Sequence, residues 1–278
     1  MYPVLAQFEL GSEILTFHAY RTFLALAAGA AGVLFVRGTA ALGLGRSRAA
    51  ALFVLAVAAG LVGARMLDAA MNLPAYVADP ARLVSTEPSG FALFGGLGAA
   101  MAVALVSSRC AGIPMRRLAD ASIPAVAAGI VLLRIGCFLN GCCAGVATSL
   151  PWGVVFPPHA VGLERALLDG QLPLVGRLSA PQAVHPTQTY ELIAAALLGS
   201  AARLWTRPGT APGMPALVFA AGFLVFRALN QALRPPAADA VFSTPMLVAI
   251  YLGVGLAACA LLARELASRA RPGVRVTA

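Results

Sequence analysis

Ala121-Ser122-Ile123-Pro124-Ala125-Val126-Ala127-Ala128-Gly129-Ile130-Val131-Leu132-Leu133-Arg134-Ile135-Gly136-Cys137-Phe138-Leu139 is an almost unbroken apolar run with one charge, Arg134, near its end. A helix needs roughly 18 to 20 such residues to cross about 30 Å of hydrocarbon. The stretch therefore reads as a membrane span, and comparable runs recur along the whole chain. Seven spans are expected, at about 17–36, 50–70, 88–108, 121–139, 186–206, 213–233 and 244–263. The predicted fold class is all-α: a single polytopic membrane domain over residues 1–278, with seven transmembrane helices and one long outer-side loop at 140–185.

Composition supports the same class. The 278 residues are 60% hydrophobic and only 11% charged, with a mean hydropathy of +0.84. That is too apolar for an ordinary soluble domain of this length. The net charge of +9 comes from arginines concentrated in short loops between apolar runs, a pattern of membrane topology rather than nucleic-acid binding. Met1-Tyr2-Pro3-Val4 has no basic n-region and Glu9 and Glu13 precede the first apolar run, so no cleaved signal peptide is expected.

Arginines set the orientation. Arg37, Arg46 and Arg48, then Arg109, Arg116 and Arg117, then Arg203 and Arg207, and finally the tail from Arg264 onward mark the cytoplasmic side. On the opposite side Arg82, Arg165, Arg177 and Arg234 are balanced by Asp79, Glu87, Glu164, Asp169 and Asp239. The N-terminus is thus expected outside a bacterial inner membrane and the C-terminus in the cytoplasm. Trp152 and the prolines around it suit the headgroup level. Runs of small residues such as 25–32 need no function beyond helix packing.

Ionisable residues in a membrane are costly and face the protein interior or a polar ligand. On the expected topology His18, Tyr20, Arg21, Arg65, Asp68, Arg134, His185, Gln188, Tyr190, Glu191 and Arg227 share one depth, as the lining of an outward-opening cavity would. Arg65 and Asp68, spaced i,i+3, can neutralise each other and read as a structural pair. Arg134 and Arg227 have no acidic partner at helical spacing on their own helices. Two guanidiniums, each a planar donor fork that keeps its proton, suit a phosphate. Cys137, Cys142 and Cys143 form a C-x4-C-C run, which without a second ligand cluster is weak evidence for a metal. Packing of small side chains is the first reading, a disulfide the second, and no metal or cofactor is expected. His159 reads as a solvated loop residue, and His185, ahead of a proline, as either a hydrogen-bonding residue or a base.

The run from Arg134 to Gly145, with its Arg-x-Gly-x-Phe-x-Asn-Gly core, resembles the signature of prolipoprotein diacylglyceryl transferases. Pro151-Trp152-Gly153-Val154-Val155-Phe156-Pro157, His185-Pro186-Thr187-Gln188-Thr189-Tyr190-Glu191, and Arg227 with Arg234 follow in family order. The resemblance extends from about Phe17 to Pro235. It implies transfer of the diacylglyceryl group of phosphatidylglycerol to the thiol of a lipobox cysteine on a preprolipoprotein, without a metal. Its partners would be phosphatidylglycerol, the signal peptides of such preprolipoproteins and membrane lipids, and no nucleic acid. By the resemblance Arg134 and Arg227 hold phosphate, Asn140 and Gly145 shape the site, and His18, Tyr20, His185, Gln188 and Glu191 line the cavity. Gly95 and Gly96 join the substrate-binding set, with His18 and His185 as the imidazoles available for catalysis.

Four positions depart from the family pattern. The third-span His-Gly-Gly motif stands here as Phe94-Gly95-Gly96; Cys137 replaces a common Asn; Cys142 and Gln231 each replace a common Glu. These changes motivate an alternative reading, a phospholipid-binding membrane protein of the same fold that is inactive or takes another substrate. A transporter is a third class, opposed by the lack of a visible inverted repeat.

Overall fold

The computed structural model describes residues 4–10, 13–85, 91–157, 182–206, 209–235 and 243–270. Two antiparallel strands, β1 (Val4–Leu10) and β2 (Glu13–His18), come first. Among the described residues eight α-helices follow: α1 (Ala19–Ala40), α2 (Arg46–Met71), α3 (Leu73–Ala78), α4 (Leu93–Cys110), α5 (Met115–Asn140), α6 (Thr187–Trp205), α7 (Met214–Ala232) and α8 (Thr244–Ala270). A 3-10 turn, Pro80–Val84, lies between α3 and α4.

The chain is an all-α polytopic membrane protein with a small β-hairpin at its start. Among the described residues six helices, α1, α2, α4, α5, α7 and α8, are long and apolar enough to cross a membrane. Each overlaps an expected span, the largest differences being at the start of α5, at Met115, and the end of α8, at Ala270. The remaining expected span, 186–206, is a helix of the right length, α6, but it is not among the six. Its opening Thr187-Gln188-Thr189-Tyr190-Glu191 is polar, and Thr187, Gln188 and Glu191 are buried.

The start of the chain differs from expectation. The first span was expected from residue 17, yet Phe17 and His18 end a strand, and the helix begins at Ala19. Phe8 and Phe17 meet edge to face across the hairpin, at 5.9 Å between ring centroids, and such pairs stabilise beyond their burial. Most of the expected outer loop, with His159, falls in 158–181, outside the described residues.

Burial is inverted relative to a soluble protein. Leu26, Val54, Val62, Leu197, Leu229 and Leu256 are exposed, whereas the largest fully buried side chains are Gln188, Asn230, Thr39 and Thr187. An apolar exterior around a polar and small-residue interior is what a lipid solvent selects.

The chain divides into two compact units, one of Met1–Ala31 with Ile123–Ala278, the other Gly32–Ser122. In the second, α2 and α4 pack backbone to backbone. A Cβ on Gly63 would stand 2.5 Å from Ala99 Cβ and 2.6 Å from the Gly95 carbonyl, and one on Gly96 3.0 Å from the Gly60 carbonyl. Gly95 and Gly96 thus have a packing role of their own. Arg65 and Asp68 are linked through Tyr76: the Tyr76 hydroxyl donates to Asp68 Oδ2 at 2.6 Å, and Arg65 Nη1 lies 3.5 Å from that hydroxyl. Arg65 also donates to the Ser85 carbonyl at 2.7 Å and lies over the Phe91 ring. The two charges expected to neutralise each other directly are thus bridged by the Tyr76 hydroxyl.

In the first unit Ile123 and Ala127 of α5, Ala202 of α6 and Phe219 of α7 form a buried apolar cluster. Gly136 of α5 fits against Phe23 and Ala19 of α1, and Gly199 of α6 against Ala127. These close approaches bring the polar end of α5 alongside the start of α6.

Candidate functional site

Glu191, in the second turn of α6, is the centre of the site. Its Oε1 accepts from Arg134 Nη2 at 2.7 Å. Its Oε2 accepts from Arg234 Nη2 at 2.9 Å, from Arg227 Nη1 at 3.3 Å and from Asn230 Nδ2 at 3.3 Å. The Glu191 side chain is 4% exposed and the three arginine side chains between 11% and 14%. Three fixed cations thus share one buried anion, a formal surplus of two positive charges. Withdrawal from water, and then the guanidiniums of Arg227 and Arg134, push Arg234 down to about 10.

Helical spacing explains the arrangement. Arg227 and Asn230 stand i,i+3 on α7, and Arg234 follows just past its end, where its amide bonds to the Gln231 carbonyl. Repeats of three and seven residues fall on one helix face. On α5, Arg134 and Cys137 are likewise i,i+3, and Arg134 Nη1 lies 3.8 Å from the Cys137 sulfur. Four polar atoms of the cluster are buried without a hydrogen-bond partner among the described residues: the Nε donors of Arg134 and Arg234, and the acceptors Gln188 Oε1 and Asn230 Oδ1. Buried polar groups are ordinarily satisfied, so these atoms mark a place suited to a polar ligand.

The segment after α5 is fastened to the cluster from behind. Gly141 (φ 74°) and Cys143 (φ 64°) are left-handed, and together they turn the chain back on itself. Gln188 Nε2 then donates to the Cys142 carbonyl at 2.6 Å and Thr187 Oγ1 to the Cys143 carbonyl at 2.6 Å. Beyond them the Gly145 amide donates to the His185 carbonyl at 2.8 Å and the Val146 amide to the Leu233 carbonyl at 2.9 Å. Gly145 admits no side chain: a Cβ would stand 2.7 Å from His185 Cβ and from the Leu233 carbonyl, and 2.8 Å from Thr187 Cγ2.

Of the expected site residues, Arg134, Arg227, Glu191 and Gln188 come together. Tyr20, in the first turn of α1, lies within electrostatic reach of Arg134 and of Cys137, Cys142 and Cys143, and Asn140 reaches the Cys142 thiol. His185 is turned to Tyr190, its Nδ1 3.3 Å from the hydroxyl, which also accepts from Trp152 Nε1 at 2.8 Å. His18 is exposed at the end of β2. No hydrogen bond joins either imidazole to the guanidiniums among the described residues. Asn230 is an addition. Arg234, expected both among the outer-side charges and seven residues after Arg227 in the family-like order, joins the cluster.

The three cysteines after Arg134 also converge. Cys137, Cys142 and Cys143 are free thiols whose sulfurs all lie within 4.8 Å of one another. Hydrogen bonds from the Cys137 and Cys142 thiols, and then the charges of Arg234 and Arg134, hold the Cys143 thiol well below its ordinary range.

Fold and site define a multi-pass membrane protein with a buried, cation-rich polar centre. The chain belongs to the prolipoprotein diacylglyceryl transferase family, whose model matches residues 6–264. Among curated relatives it is 33% identical over 167 residues to the phosphatidylglycerol–prolipoprotein diacylglyceryl transferase of Solidesulfovibrio magneticus, a match covering 59% of this chain and 56% of the relative. To the protein of that name from Ruegeria pomeroyi it is 33% identical over 190 residues, 66% of this chain and 60% of the relative. To that of Geobacter sulfurreducens it is 32% identical over 144 residues, 48% and 55%. The chain thus spans a little over half the length of the curated relatives it matches.

Proposed function

We propose that the chain transfers the diacylglyceryl group of phosphatidylglycerol to the lipobox cysteine thiol of a preprolipoprotein, at the outer face of a bacterial inner membrane. The observation that carries this reading is the set of three guanidiniums around one carboxylate. Glu191 neutralises one charge and leaves two, which matches a phosphodiester whose departing oxygen gains charge. In the reaction the substrate thiolate attacks the glycerol carbon bonded to the phosphate oxygen. A carbon–sulfur bond forms, the carbon–oxygen bond breaks with its electron pair going to the phosphate, and glycerol phosphate leaves. Preorganised donors aimed at that oxygen stabilise the transition state without reorganising. Here those donors would be Arg134, Arg227 and Arg234, with Asn230 and Gln188 fixing their frame.

The thiol proton needs an acceptor. Phe94 supplies none, His185 is engaged by Tyr190, and His18 is exposed. These observations favour a second reading of the same site, a phospholipid-binding protein that does not turn over. Purified protein in detergent, given radiolabelled phosphatidylglycerol and a lipobox peptide, separates the two. Label on the peptide through a thioether supports the transferase; retention of labelled lipid without transfer supports the binder.

A further inference from the structure

The thiols of Cys137, Cys142 and Cys143 are a cluster that the reaction above does not use. We propose that they form a binding site for one thiophilic divalent cation of the zinc type, next to the arginine cluster. Sequence spacing alone favoured simple packing, and the backbone geometry argues otherwise. Cys137 sits in the last turns of α5, and the left-handed Gly141 and Cys143 reverse the chain so that the next two cysteines return to it. The reversal is held by the Cys142 amide on the Cys137 carbonyl at 3.1 Å and by Gln188 and Thr187 on the two following carbonyls. The ligand frame is therefore built before any ion arrives.

Distances and charge both fit. Zinc–thiolate bonds of about 2.3 Å in a tetrahedral set put sulfurs about 3.8 Å apart, so sulfurs within 4.8 Å of one another need close by only about 1 Å, within the reach of χ1 rotation. Binding forms three metal–sulfur bonds and releases whatever protons the three sulfurs still carry. A divalent ion on three thiolates carries one negative charge. Its neighbours are Arg134, which touches Cys137, and a guanidinium set with two charges in surplus. The fourth position remains open to water or another oxygen ligand, as in three-ligand zinc sites. Exposure falls from Cys143 (exposed) through Cys142 to Cys137 (buried), which gives an ion a way in.

The test is titration of the full-length, reduced protein in detergent with cadmium(II) alone, followed by the ultraviolet sulfur-to-cadmium charge-transfer band. We expect a one-to-one endpoint and protection of Cys143 from maleimide. The endpoint should be lost in Cys143→Ser, a change at an exposed position, and in the triple variant Cys137→Ser, Cys142→Ser, Cys143→Ser. It should persist in Cys110→Ser with Cys259→Ser, and size exclusion reports whether each variant is folded. A band that survives in the folded triple variant overturns the site. So does a thiol count showing two of the three cysteines already joined as a disulfide in protein purified without reductant. Neither result bears on diacylglyceryl transfer, which is measured separately.

Discussion

Arg134 on α5 and Glu191 on α6, fifty-seven residues apart in sequence, are joined by a 2.7 Å contact between Nη2 and Oε1. Neither residue finds an opposite charge at helical spacing on its own helix, so the pair exists only once the two helices pack. Removing one partner of a buried ion pair typically costs about 3–5 kcal/mol, because the other is left uncompensated. Glu191→Gln strands three guanidiniums rather than one. It should lower the thermal unfolding temperature in detergent substantially, whereas Gln231→Glu, which adds a carboxylate to α7, should not. An unchanged melting profile for Glu191→Gln would show that the carboxylate is not needed to hold the arginines.

Arg134→Lys and Arg227→Lys should each fold, since an ammonium can still pair with Glu191. A lysine that serves the carboxylate has no second planar fork for a phosphate. Loss of a donor aimed at developing oxyanion charge is worth about 100- to 1000-fold in rate, and a drop of that size is expected in phosphatidylglycerol turnover. Near-parental rates in both variants would remove the phosphate assignment.

Phe94 stands where the family carries an imidazole. An unassisted reaction depends on the substrate thiol's own ionisation, near a pKa of about 8.5. The deprotonated thiol is the reactive form, so the rate should rise with pH and go on rising past about 8. A base with the ordinary pKa of a histidine would instead centre the rise near about 6.5. Phe94→His should raise the rate at neutral pH and shift the profile down. If it folds and the rate is unaltered, the missing imidazole is not what limits turnover, and Cys142 and Gln231 become the positions to restore.

Gly145→Ala should destabilise the protein by about 1–3 kcal/mol, the usual penalty for overpacking a close contact. A methyl there meets the Leu233 carbonyl, which cannot turn away as a side chain can. A thermal-shift comparison with Gly222→Ala, where the nearest atoms all belong to the Leu198 side chain, distinguishes backbone crowding from crowding by a side chain that can turn away. Equal effects would argue against it.

Orientation can be read with an impermeant thiol reagent in a background whose native cysteines are replaced. Gln182→Cys, exposed ahead of α6, should label from outside intact cells, and Arg46→Cys, exposed at the start of α2, only after permeabilisation. Labelling of both from one face would overturn the seven-span topology.

Apolar runs made six spanning helices legible from sequence, because hydrocarbon thickness fixes their length. The seventh expected span is a helix too, but Glu191, Gln188 and Thr187 serve the protein interior and lower its apolar character. The hairpin has a signal, the alternation of Val4, Ala6, Phe8 and Leu10 with Gln7 and Glu9, but over seven residues beside a membrane span it is too short to stand out from a polar tail. Arg134, Arg227 and Glu191 were recognisable as residues but not as one cluster, since spacing rules speak only for a single helix. Arg234 follows Arg227 by seven residues, but α7 ends at Ala232, so helical spacing alone does not say that the turn beyond brings Arg234 back to Glu191. The thiol cluster depends on two left-handed residues, one of them a cysteine, which spacing cannot announce.

The shared carboxylate also sets a condition on how the chain is inserted. A segment that opens with a buried acid does not partition into lipid alone, and its counter-charges lie on α5, already synthesised, and on α7, not yet made. Until residues 227–234 have emerged, Glu191 has Arg134 alone of its three arginines. A chain truncated after residue 206 would carry Glu191 with one arginine in place of three, and should be degraded faster than one truncated after residue 235, as pulse-chase measurement would show.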